Sequence, residues 1–245
     1  MRPIIQTVFS FSILAFLIYA CVTDVEDPTP PPAPEWVYPS EVGTIPPEGV
    51  RAVAGEDGIH LEWQPFSDND IAEVRIYRAD SAAVDFECIG NVREQYANIE
   101  NFYEDFSVPL DTVVYYYLRV VDKSDNRSKA SDTLQFTLLQ KSNLDDFEEP
   151  PPSNTSFSWN INPPESSAGL YCIDVADASK NSIQTSPLIQ RTGYAPQAFE
   201  GWTVTEPLTP GNQYFWRVYA FGLLDEQNRP HAMSISGWRG FEVAE

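Results

Sequence analysis

The residues able to do chemistry in this chain are sparse. There are two histidines, His60 and His231, and three cysteines, Cys21, Cys88 and Cys172. His60 alternates outward on a strand pattern, and His231 sits in the loop Asn228-Arg-Pro-His231. No Ser-His-Asp set, paired metal-binding histidines or phosphate-cradling glycine loop accompanies them. With 36 acids, a carboxylate pair at glycosidase spacing arises by chance, and nothing marks one pair out. Asp68, Asn69 and Asp70, or Asp122, Asp125 and Asn126, offer oxygen ligands for calcium without EF-hand spacing. In turns, Asp and Asn also serve backbone amides, which is the plainer role. The expectation is a chain with no catalytic residue, no metal centre and no cofactor. Cys88 and Cys172 are reactive, bridge two chains, or are ordinary partly buried thiols, the last being expected. Neither half of the chain holds a pair for its own disulfide.

What remains is recognition. Lys and Arg number 15 against 36 Asp and Glu, a net charge of -21 with no basic run. Such a chain repels phosphate backbones, so nucleic acid is disfavoured as a partner. Solubility is the simplest use of the charge. Strand alternation points Tyr77, Tyr115 and Tyr117, with Arg75 and Arg119, away from the core of the first half. It does the same for Phe215, Arg217 and Tyr219 in the second. Tyr and Arg are frequent anchors of interfaces. Outward aromatics are also good strand formers that pack across a sheet. Two long connections stand out. One, 178–201, carries Tyr194 and Phe199; the other, 222–234, carries Leu223, Leu224 and Met233. They are functional loops, or they fold back over a sandwich end or onto the first half.

The elements that must position these residues read as strands. Alternating apolar residues occur at 50–54, 59–63, 74–78, 86–92, 102–106, 113–121 and 133–139, and again through the second half. No helical period interrupts them. Hydrophobic residues are 42% and aromatics 13%, enough for folded cores. The expected fold class is all-β, two tandem sandwiches of about 100 residues each.

The residues then resemble the fibronectin type III family. Pro47-x-Gly49-Val50-x-Ala52 is similar to its first strand, and Ile59-x-Leu61-x-Trp63-x-Pro65 to its second, with Trp63 as core tryptophan. Asp68-x-Asp70-Ile71 and Val74-x-Ile76-Tyr77-Arg78 resemble the third strand and its approach. Asp105 sits where the family has an acid upstream of strand F. Tyr116, Leu118, Val120, Asp122 and Asn126-Arg-Ser128 resemble strand F and its turn. In the second half Phe157-x-Trp159, Tyr171-x-Ile173-x-Val175, Leu208-Thr-Pro-Gly211, Tyr214-x-Trp216-Arg-Val218 and Phe241-x-Val243 repeat the pattern. The family's corner tyrosine is Tyr214 in the second half and is replaced by Val114 in the first. The resemblance implies a display or binding module and names no ligand.

The N-terminus has the form of a secretory signal: Arg2, an apolar run too short to span a bilayer, then Ile18-Tyr19-Ala20-Cys21. That ending resembles the lipobox of bacterial lipoproteins, which implies acylation of Cys21 and stable membrane anchoring. The alternative is an uncleaved signal anchor. Val22 lacks the aspartate that signals inner-membrane retention, so the outer membrane is expected, with surface exposure as one option. The expected organisation is signal peptide 1–20, lipidated Cys21 and Pro-rich acidic linker 21–44, first sandwich 45–140, linker 141–153 and second sandwich 154–245. The expected function is non-catalytic: an envelope or cell-surface lipoprotein that binds a protein or polysaccharide. The alternative is an accessory subunit of a larger envelope assembly, and the third and least favoured is an enzyme with an unmarked site.

Overall fold

The computed structural model describes residues 28–81, 85–95, 98–160, 168–191 and 201–245. The signal-like segment, Cys21, Tyr194 and Phe199 lie outside the described residues. Among those described, the fold is all-β. The first half contributes β1 (Arg51–Ala52), β2 (Ile59–Glu62), β3 (Ile71–Ala79), β4 (Glu87–Arg93), β5 (Phe102–Asp105), β6 (Val113–Asp122) and β7 (Leu134–Leu138). The second contributes β8 (Asn143–Leu144), β9 (Trp159–Asn160), β10 (Leu170–Ala176), β11 (Ser182–Thr185), β12 (Ile189–Gln190), β13 (Gln213–Leu224), β14 (Pro230–Ile235) and β15 (Arg239–Glu242).

In the first half a three-stranded sheet, β1-β2-β5, faces β4-β3-β6-β7. Between them lie Ile59, Leu61, Trp63, Val74, Ile76, Val114, Tyr116, Leu118 and Phe136, all fully buried. In the second half β8 and β9 form a thin sheet opposite β11, β10, β13 and β15. Its core is built on Phe157, Trp159, Tyr171, Trp216 and Val218.

The two halves are not separated. β13 and β14 form an extended hairpin, from Tyr219 opposite Ile235 to Leu224 opposite Pro230. β14 then pairs in parallel with β7, Ala232 opposite Thr137 and Met233 opposite Leu138, so one ten-stranded sheet runs through both halves. Leu139 N–H donates to the Met233 carbonyl (3.0 Å), and Ser234 Oγ donates to the Gln140 carbonyl (3.0 Å). The segment 222–234 is therefore a strand-forming hairpin docked on the first half. The reason is visible in its residues: Phe221, Met233 and Ile235 are apolar on the side that meets the first core, and all three join that core.

Both segments expected as linkers carry structure. Trp36 is buried in the first core, bridges Trp63, and donates Nε1–H to the Asp132 carbonyl (2.8 Å). The chain then turns back at Gly49 (φ 68°), where a Cβ would lie 2.2 Å from the Tyr38 carbonyl oxygen. Between 141 and 153, β8 forms, Phe147 packs against Phe157 and Phe241, and the Pro151 carbonyl accepts the Ala244 amide. Local charge and proline favoured a stiff joint there, but Phe147 has apolar surface to bury and the core has a place for it.

Two local devices recur. Asp122, Asp177 and Asp225 each accept the amides two and four residues on, closing tight hairpin turns. In each, the residue three positions on is left-handed: Asp125, Lys180 and Asn228. Serines also stand in for strand partners. The amides of Ser128, Ser131, Ser186 and Ser236 donate to the carbonyls of Val120, Leu118, Ile173 and Val218, and their hydroxyls accept those same residues' amides at 2.9 Å. This satisfies buried amides where the neighbouring strand departs from register.

Candidate functional site

Side-chain direction follows from register. Tyr77 is opposite Tyr117, Arg75 opposite Arg119, and Tyr115 opposite Gln135, while Val113 is opposite Thr137. Thr137 is opposite Ala232, and Ala232 belongs to the second core. So the face that carries the Tyr77, Tyr115, Tyr117 and Arg119 patch in the first half carries the core in the second. The reverse holds for Phe215, Arg217 and Tyr219, which share a face with the first core through Ile235 and Met233. The two predicted patches thus lie on opposite faces of one sheet and form two surfaces, not one.

The first patch is open. Tyr77 and Tyr117 stack with ring centroids 4.6 Å apart and an interplanar angle of 13°. Phe86 tilts against Tyr117 at 4.8 Å, and the Arg119 guanidinium sits 5.8 Å from the same ring. All four remain partly exposed, as does Tyr115. Beside them Glu73 accepts from Arg75 Nε (2.5 Å), Asn91 Nδ2 (2.8 Å) and Arg93 Nε (3.2 Å). Burial pushes the Glu73 carboxyl up, but the two arginines outweigh it and hold it below its ordinary value.

The second patch is partly covered: Tyr219 is buried, while Phe215 and Arg217 are half-buried. Arg217 lies between Trp238 (4.0 Å) and Tyr219 (4.8 Å) and pairs with Asp174 at 3.2 Å. Asp174 is 1% exposed and Tyr219 fully buried. Lys180 covers the Phe215 ring at 5.4 Å. The expectation of an outward Tyr219 is thereby corrected: it does point away from its own core, but the first half packs onto it. A corner of about 180 Å³ remains there, lined by Arg51, His60, Glu104, Arg217 and Tyr219 among others. His60 also differs from expectation. It is 8% exposed and stacks on Phe102, and burial, with Arg51 beside it, lowers its pKa despite Glu104 and Glu62.

The remaining candidates are placed plainly. His231 Nδ1 lies 3.1 Å from the Gln135 carbonyl, far in role from His60. Cys172 is buried, and burial raises its thiol pKa; Cys88 is exposed on β4, not partly buried. Asp68 Oδ1 accepts the Asp70 amide (2.9 Å), and Asp122 caps its turn. Among the described residues no group of three His, Cys, Asp or Glu is arranged to hold a metal ion. Glu73, Phe86, Arg93 and Arg127 belong to the open face and escaped the sequence reading. Glu73 sits two residues from Arg75, already placed outward, and Arg93 lies directly across from Glu73, so alternation carried the signal for both.

The corners differ as expected. Tyr214 OH accepts the Thr209 amide (3.0 Å) in the second half. In the first, where Val114 stands, Tyr116 OH and Arg78 Nη1 both donate to Asp105 Oδ2 (2.9 and 2.7 Å).

The strand order is that of fibronectin type III-like sandwiches. No family model matches the sequence, and no curated protein matches it. Among solved structures, the chicken CNTN1 FN1-FN3 domains are similar at 14% identity, covering 89% of this chain and 69% of that one, with a TM-score of 0.38. The chicken interferon gamma receptor alpha chain is similar at 9% identity, covering 85% and 98%, with a TM-score of 0.32.

Proposed function

We propose that this chain is an exported lipoprotein, anchored through Cys21 to the outer membrane, that presents a rigid pair of sandwiches to a macromolecular partner. The docking surface in this reading is the open face with Tyr77, Tyr115, Tyr117 and Arg119. One observation carries it: every residue of this patch stays partly exposed, whereas in the other patch Tyr219 is fully buried and Arg217 is tied to Asp174. Partly exposed tyrosines next to an arginine supply large contact area at low entropic cost. Binding, not catalysis, is the role, and no cofactor enters it. The anchor reading rests on the apolar run and Ile18-Tyr19-Ala20-Cys21.

Two measurements on intact cells test it. Alkyne fatty-acid label should appear on the wild-type chain and vanish in Cys21→Ala; label on both, or neither, contradicts the anchor. With photo-reactive p-benzoylphenylalanine in place of Tyr117, irradiation should give a discrete adduct, and in place of Thr203, on the opposite sheet of the second half, none. Adducts from Thr203 but not Tyr117 would move the docking surface.

A further inference from the structure

In a chain of net charge -21, the open face collects arginines. Arg75 and Arg119 are directly opposite each other across β3 and β6, and Arg93 is opposite Glu73. Arg127 bridges Val121, two residues from Arg119, which places it on the same face. Like charges directly opposite on a sheet are destabilising, and one carboxylate serves the group. Glu73 is 7% exposed and its oxygens are already engaged by Arg75, Asn91 and Arg93. Arg119 has a 3.4 Å contact to the Ser128 carbonyl, the Tyr117 ring 5.8 Å away, and no ion pair among the described residues. Asp122 turns its carboxylate to the amides of its own turn, and Asp125 lies in that turn beyond the arginines.

Building on the docking face assigned above, we propose that its partner is a short acidic polypeptide segment, bound by Arg119, Arg127 and Arg75 beside the Tyr77–Tyr117 stack. Guanidinium forks match carboxylates bidentately. The stack also argues against a sugar. Tyr117 has Tyr77 stacked on it at 4.6 Å and Phe86 tilted against it at 4.8 Å, so much of its ring is already occupied. A long polyanion meets the net negative charge of the whole chain, whereas a short segment keeps much of its charge near the arginines, and acids more than about one Debye length away, roughly 8 Å, are largely screened.

The test is fluorescence anisotropy with a fluorescein-labelled (Glu-Ser)5 peptide on the chain lacking residues 1–27 and on the full chain in detergent. Saturable binding is expected, weakened about tenfold by Arg119→Glu and less by Arg127→Glu, and weakened again by salt. Circular dichroism of both variants should match wild type, since both side chains are on the surface. (Lys-Ser)5 should not bind. No saturation by millimolar peptide, or equal affinity in Arg119→Glu, overturns the proposal. Tighter, Arg119-dependent binding of polygalacturonate overturns it in favour of a polysaccharide. Loss of peptide binding with a persisting Tyr117 adduct sinks only the acidic-segment inference; loss of both sinks the docking face as well.

Discussion

The two faces of the shared sheet carry the same kinds of residue to opposite ends. On one, Tyr77, Tyr117 and Arg119 stay partly exposed. On the other, Tyr219 is buried in the first half's core, and Arg217 is held half-buried between Trp238, Tyr219 and Asp174. Strand alternation fixes which side of a strand a side chain takes. What lies over that side is decided by how the halves join, and here they join edge to edge, with each thin sheet on a different face. An arginine beside a tyrosine is thus left partly exposed and without an ion pair among the described residues in one setting, and ion-paired beside a buried tyrosine in the other.

Substituting the two arginines sharpens this contrast most. Arg217→Ala leaves Asp174 buried without its partner and should destabilise by about 3–5 kcal/mol in urea unfolding. Met233→Ala strips a buried contact from the joint and should cost about 2–5 kcal/mol. Because the joint belongs to both halves, tryptophan fluorescence and circular dichroism should shift together. Separate transitions would break the comparison at its root. Tyr214→Phe removes the hydrogen bond to the Thr209 amide and should cost about 0.5–1.5 kcal/mol. Arg119→Ala, at the small end, should stay within about 0.5 kcal/mol of wild type.

Acid probes the corner of the first half. Burial raises the Asp105 pKa, but Ser107, Arg78 and Tyr116 hydrogen bonds overcome it, so the folded value is lowered. A depressed folded pKa gives stability that is present above the unfolded value, about 3.9, and lost as pH falls through the folded one. Stability should therefore drop below about pH 4, and Asp105→Asn should flatten that part of the profile while lowering stability at neutral pH.

Much of the fold was legible because its strands alternate cleanly. The core tryptophans Trp63 and Trp159, the Tyr214 corner and the Asp105 position came from the resemblance to the fibronectin type III family that those strand motifs carry. What was not legible depends on contacts between distant segments. Nothing local to Gly222 or Met233 tells that β14 will pair with β7. Proline and acid around Phe147 spoke for a joint, yet a single aromatic side chain with a core to enter outweighed them. For the site, Tyr77, Tyr117 and Arg119 were found from alternation. That Tyr219 would be covered depended on the joint, and so could not be.

Hydroxyl-radical footprinting read by mass spectrometry tests that joint most directly. The account predicts rapid oxidation of Tyr77 and Tyr117 and strong protection of Tyr219, with protection lost only when the whole chain unfolds. Oxidation of Tyr219 at a rate like that of Tyr117 in native conditions would contradict the shared sheet and the assignment of the open face with it.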